Sequence, residues 1–316
     1  MSFFNSCSMC FSIVLSITLF GNAWAGQVVT DDIREWAKQA VMSEKSIETV
    51  STANTLAVLN FLNRSGKEEL APLQKGLALM LITDLSIIKD LQVVERSKIQ
   101  ALTEEIGLGT SGLIEQGSAP RIGKLLGARR LVGGDIAGSV KDKIRVQSSL
   151  LDVQSTAVIG QPISEGVLEE LFRVEKDLLF DIVKLLKIEV PPDLEAKLRK
   201  PCSSKTTALL ALFTGVEASD RKDYEKAAES YRKALKLDSN ICVANDALGE
   251  LQALGLIAGN KRSGALLRSL RDSTSLTNQI TPKDEIKHLP SPDQVPSNTG
   301  INVIFPGNDT VGTPIR

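Results

Sequence analysis

The sequence predicts a mixed α/β protein: an α/β sandwich domain on a mixed sheet, then a short all-helical module, then a proline-rich tail. Three observations predict it. Between residues 51 and 190, apolar runs of strand length alternate with amphipathic helical patterns, the signature of layered α/β packing. Between 206 and 260, within a helical module taken as 206–271, every strong periodicity is helical. From 272 to 316 the composition shifts to Ser, Thr, Asn and Asp, with Pro282, Pro290, Pro292, Pro296, Pro306 and Pro314, too polar to bury a core. Within that tail, Ile301-Asn302-Val303-Ile304-Phe305 is apolar enough to add an edge strand.

Residues 1–25 set the compartment. An apolar run over 10–20 leads to Ala23-Trp24-Ala25, small residues where a signal peptidase needs them, so cleavage is expected before Gly26. The run lacks the usual preceding Lys or Arg. A membrane anchor is the alternative, but the run is short and has no basic flank on its far side. No Leu-x-Gly/Ala-Cys pattern marks a lipid attachment point. Cleavage would remove Cys7 and Cys10 and leave Cys202 and Cys242, which form either a disulfide or two reduced buried thiols. The expected location is the periplasm, with at most peripheral association with the outer membrane.

Residues 26–50 read as a lead-in helix. Thr30 caps it, Asp31 and Asp32 suit its first turn, and Ile33, Trp36, Ala37, Ala40 and Val41 form one apolar stripe. In the domain over 51–190, residues 55–61 predict a strand that ends in the polar turn Asn63-Arg64-Ser65-Gly66, with Gly66 allowing the tight reversal. A helix over 70–85 follows, then a short strand over 91–95 and a helix over 97–106. A further helix over 120–126 stops at Gly127 and feeds a strand over 130–134. Residues 143–153 alternate as a half-solvated strand, 158–163 read as its antiparallel return, and 167–188 form a long amphipathic helix. Residues 191–205, opened by Pro191-Pro192, read as a linker to the helical module over 206–271.

Chemistry-bearing constellations are scarce. The formal charge is -1 and aromatics make up 4% of the chain, which leaves nucleic-acid binding without electrostatic or stacking support. One histidine, His288, and four cysteines argue against a zinc site or an imidazole-based active site, so no metal and no cofactor are expected. Gly107-Leu108-Gly109-Thr110-Ser111-Gly112 imitates a nucleotide loop, but follows a helix and lacks the Gly-Lys-Ser/Thr ending. Ser65, Asp84 and His288 could be drawn as a nucleophilic triad, but His288 sits in the tail with nothing to position it. Arg96 and Asp84 read instead as partners in ion pairs.

In the helical module, a 34-residue unit over 208–241 places Gly215 where two helices cross, Tyr224 after a turn, and Ala227, Tyr231 and Ala234 on one face. This resembles a tetratricopeptide repeat, with Leu248-Gly249 opening a second unit. The departures are Ser239 in place of the usual proline and Ala211 and Ala218 in place of large aromatics. Such repeats bind peptides or stabilise and space, and both roles stay open for so short an array.

The α/β domain resembles the curli production assembly/transport component family, whose fold is shared with the amino-terminal domain of the translocation protein TolB. The resemblance is carried by Leu56-Ala57-Val58-Leu59-Asn60-Phe61-Leu62-Asn63-Arg64-Ser65-Gly66, by residues 77–85 and 91–96, by Ile122-Gly123-Lys124-Leu125-Leu126-Gly127-Ala128, and by Gly133-Gly134-Asp135-Ile136. It implies a periplasmic domain that works by assembling with other envelope components. The family's founding member is an outer-membrane pore with a lipidated cysteine and long membrane hairpins, and this sequence has neither the cysteine nor room for the hairpins. The expectation is therefore a non-catalytic envelope protein acting on an envelope or secreted protein partner, with self-association open. The alternative is a subunit of an outer-membrane-associated secretion complex.

Overall fold

The computed structural model describes residues 26–47, 53–107, 118–200, 203 and 205–258. Residues 1–25, the tail with His288, the glycine loop beyond Gly107 and Cys202 lie outside the described residues. The chain divides into two units, residues 1–258 and 259–316, and every described residue belongs to the first.

Helix α1 (Asp31–Met42) is capped by Thr30, whose side chain accepts the Ile33 N–H at 3.3 Å. Its Ala37 packs with Val29 and Ala101 against α3 (Arg96–Glu105). Strand β1 (Thr55–Val58) is buried along its whole length, as a central parallel strand requires. The continuous strand expected over 55–61 breaks after Val58. The Phe61 N–H turns away from the ladder and donates to the Gln74 carbonyl of α2 (Ala71–Leu85) at 2.9 Å. Pairing resumes in β2 (Leu62–Asn63), which runs beside β4 (Arg130–Gly138) as β1 does. Strand β3 (Gln92–Val93) forms one edge. Helix α4 (Ala119–Leu126) ends on Gly127 at φ +65°, a left-handed cap that favours glycine.

Strand β5 (Ile144–Asp152) pairs antiparallel with β4 over its full length. Strands β6 (Val158–Gly160) and β7 (Ile163–Gly166) both return along β5. The seven-stranded sheet therefore runs β3-β1-β4-β5-β6, with β2 and β7 paired to β4 and β5, and is mixed. The crossovers β1–α2–β3 and β3–α3–α4–β4 travel in opposite directions, so the right-handed rule puts α2 on one face and α3 with α4 on the other. Helix α5 (Leu171–Leu185) joins α2 on its face.

The stretch read as a linker, 191–205, instead holds helix α6 (Pro192–Arg199). A proline in the first turn starts a helix as readily as it ends one, and Asp193 and Glu195 favour that turn. Leu198 is wholly buried and Arg199 lies over the Phe180 ring at 4.2 Å, so α6 is docked.

Helices α7 (Thr206–Asp220), α8 (Tyr224–Leu237) and α9 (Cys242–Ala253) complete the unit and share one hydrophobic core with the α/β layers. The decisive contact is between α2 and α7. Phe213 is wholly buried with its ring against Gly76, so close that a Cβ there would overlap it. Gly76→Val is expected to lower stability by about 1–3 kcal/mol, the usual cost of overpacking, read as a lower urea midpoint with an unchanged slope. Gly215→Val, which would push into Tyr231, should behave alike.

Candidate functional site

In open α/β sheets, ligands sit beyond the carboxyl ends of the parallel strands. Here α2 and α3 start at that edge, and their early turns carry Lys75 and Arg96. Asp220, the last residue of α7, enters from the helical module. Its Oδ1 lies 2.9 Å from Arg96 Nη2, and its Oδ2 lies 2.6 Å from Lys75 Nζ. The Asp220 side chain is 2% exposed and that of Arg96 is 3% exposed. Burial alone would raise the Asp220 carboxyl, but the Arg96 guanidinium and Lys75 ammonium outweigh it and hold it below its ordinary value. For Arg96, burial is likewise outweighed by Asp220, and its affinity for the proton is raised.

The same edge holds the segment before α1. Arg96 also donates to the Gln27 carbonyl, and Glu250 of α9 accepts the Gln27 and Val28 N–H groups at 2.9 and 3.3 Å. Arg34 of α1 donates to the Asp220 carbonyl at 3.1 Å and pairs with Glu104. Lys222 pairs with Asp31 at 2.8 Å. The edge is thus filled by the chain itself, and its charges fasten the helical module and the lead-in helix to the sheet domain. Asp220 and Arg96 are buried and paired with each other, while the Arg96 Nε has no hydrogen-bond partner.

A second polar cluster lies between α2 and α5. Lys176 pairs with Asp84 and lies 3.3 Å from Glu175. Glu175 is wholly buried, and neither carboxylate oxygen has a hydrogen-bond partner. Burial and then the Asp84 charge push its carboxyl up to about 8 against the opposing pull of Lys176, a shift that favours its protonated form. Asp84 and Lys176 face a narrow cleft walled by Leu79, Met80, Phe172, Leu212, Ile241 and Val243. Its volume of about 40 Å³ admits a few waters or one side-chain tip. Among the described residues no group of three or more His, Cys, Asp or Glu is placed to hold a metal ion.

The residues singled out in the repeat lie together as packing. Tyr231, Ala227 and Ala234 are wholly buried, and the Tyr231 ring covers Gly215 so closely that a Cβ there would collide with it. Tyr224 is half-buried at the start of α8, where Asp223 accepts the Lys226 N–H at 3.3 Å. Gly249 is half-buried in α9, next to Glu250. Cys242 is disulfide-bonded, and Cys202 lies outside the described residues. Ser65 bonds Asn63 within its own turn and Asp84 is committed to Lys176, so neither belongs to a nucleophilic arrangement.

The segment from within α1 to just past β4 decides the comparison. Residues 37–140 match the family described as Curli production assembly/transport component CsgG. The CsgG match spans the parallel half of the sheet with α2, α3 and α4. It stops before β5, and the helical module lies beyond it. No curated protein matches the chain. Among solved structures, the LpoB C-terminal domain from Salmonella enterica aligns at 16% identity, over 46% of this chain and 98% of that one, with a TM-score of 0.29. The solution structure of E. coli LpoB aligns at 18% identity, over 45% and 68%, with a TM-score of 0.31. At such scores these likenesses add nothing about function.

Proposed function

We propose that this is an exported envelope protein that acts without catalysis, as an assembly or interaction factor for a cell-surface or secretion system. The observation that carries the reading is the CsgG match over residues 37–140, a family whose description is assembly and transport. The fold is in keeping with it, because the sheet edge where an α/β enzyme holds its ligand is filled by Asp220 and the segment around Gln27. The helical module then has a stabilising role in the same body, through α7 on α2, and its outer surface is left for a protein partner. The same family description supports a second reading, a subunit of an outer-membrane-associated secretion complex. Among the described residues no helix is long and apolar enough to cross a membrane.

Fractionation of native cells after cross-linking separates the two. Recovery in the soluble periplasm with one dominant protein partner is the expected result. Recovery as a large ring in outer-membrane fractions would favour the secretion subunit, and recovery in the cytoplasm would sink both.

A further inference from the structure

The residue expected to begin the processed chain, Gly26, sits at a prepared place. Its carbonyl accepts the Ser97 N–H at 3.3 Å, in the first turn of α3. On the next two residues, Gln27 and Val28 give their N–H groups to the two oxygens of Glu250. Val28 and Val29 are buried, so the segment is anchored immediately after Gly26. Around Gly26 itself, a substituent on the Cα would meet Ser97 Oγ at 2.8 Å and Glu95 Oε2 at 3.6 Å. Ser97 is wholly buried and its hydroxyl oxygen has no hydrogen-bond partner. Beside Gly26 lie the Glu95 carboxylate and an orphaned hydroxyl, with the Glu250 carboxylate on the N–H groups of the next two residues, whereas an uncleaved chain brings only one amide N–H.

We propose that this pocket is a binding site for the chain's own α-ammonium group, created when the leader is removed before Gly26. Hydrolysis adds water across the Ala25–Gly26 amide, the carboxylate leaves with Ala25, and the freed Gly26 amine takes up a proton. The ammonium's three N–H donors then meet Ser97 Oγ, Glu95 and Glu250, and its charge offsets the repulsion between the two carboxylates. Burial, with a contribution from Glu95, holds the Glu250 carboxyl above its ordinary value against the pull of the Gln27 and Val28 N–H groups and of Arg96. The other charges facing the pocket are already engaged: Arg96 with Asp220, and Lys98 with Glu95 at 3.5 Å. Processing would in this way finish the fastening of α9 to the lead-in segment and α3, and only the exported chain would carry it.

The proposal rests on the export reading above, and its test separates the two. The chain from Gly26 to Arg316 is prepared with a free Gly26 amine, with Ala25 retained, and with Gly26 Nα-acetylated, and the three are melted at pH 6.5 and pH 10. At pH 6.5 the free-amine form is expected to melt higher by roughly 2–4 °C. At pH 10 the amine is neutral and the three should converge, and with Glu95→Gln and Glu250→Gln combined they should converge at both pH values. Identical melting of the three forms at pH 6.5 overturns the proposal. The mass of the protein recovered from cells gives the second readout. A mature start at Gly26 supports the proposal, and a start at another residue overturns it whatever the melts show. A chain that remains whole in the cytoplasm overturns the export reading itself.

Discussion

Asp220→Ala is expected to cost about 3–5 kcal/mol, because it removes the one anion between two buried cations. Arg96 and Lys75 would remain enclosed without a counter-ion, Arg96 keeping only its bond to the Gln27 carbonyl. The loss should appear as a urea midpoint shift followed by Trp36, the one tryptophan beyond residue 25, which packs against the core beside α3. Replacing all three residues by apolar ones of similar volume should recover much of the loss, since a buried ion cluster is worth little over good packing. The pH dependence has a fixed sign. Asp220 is held below its ordinary carboxyl value when folded, so its contribution is complete above about pH 4 and disappears as the pH falls through the depressed value. The wild-type protein should lose this stability on acidification, whereas Asp220→Ala should lack that part of the acid transition. Equal urea midpoints for the two proteins at pH 7 would mean that the cluster does not fasten the module.

What the sequence allowed to be read depended on how local the determining contacts are. Thr30 before Asp31 and Asp32, and Gly127 after an amphipathic turn, fix the start of α1 and the end of α4 through groups within four residues, so both were legible. The alternation over β5 was legible for the same reason. The break after Val58 was not, because it depends on Phe61 donating to Gln74 in a different element. Helix α6 was missed because two successive prolines suggest a break, and only tertiary burial of Leu198 reveals a docked helix. For the site, Arg96 and Asp84 could be read as needing partners, but Asp220 is 124 residues from Arg96 and Lys176 is 92 from Asp84, distances that no periodicity bridges. One signal was available. Asp220 ends α7 with no basic residue in the last turn, where the helix dipole disfavours an acid, so a cation from elsewhere had to meet it. Glu175, amid the inward stripe of Leu171, Val174 and Leu178, was a similar anomaly.

Glu175→Gln is expected to make the protein more stable in alkali. Burial raises the folded-state carboxyl of Glu175 to about 8, whereas the unfolded chain has the ordinary value of 4.5. Between those values the native state binds the extra proton, so stability must fall as the pH rises. The native advantage is complete below about 4.5 and gone above about 8, a loss of a few kcal/mol. Glutamine keeps the shape and cannot ionise, and Lys176 keeps Asp84 as its partner. Urea midpoints at pH 4.5 should therefore be close for the two proteins, with the variant ahead by a margin that widens at pH 6, 7 and 8 and levels off above. Parallel slopes across that range would show that Glu175 is already ionised in the native state, held by Lys176 at 3.3 Å rather than by its own proton.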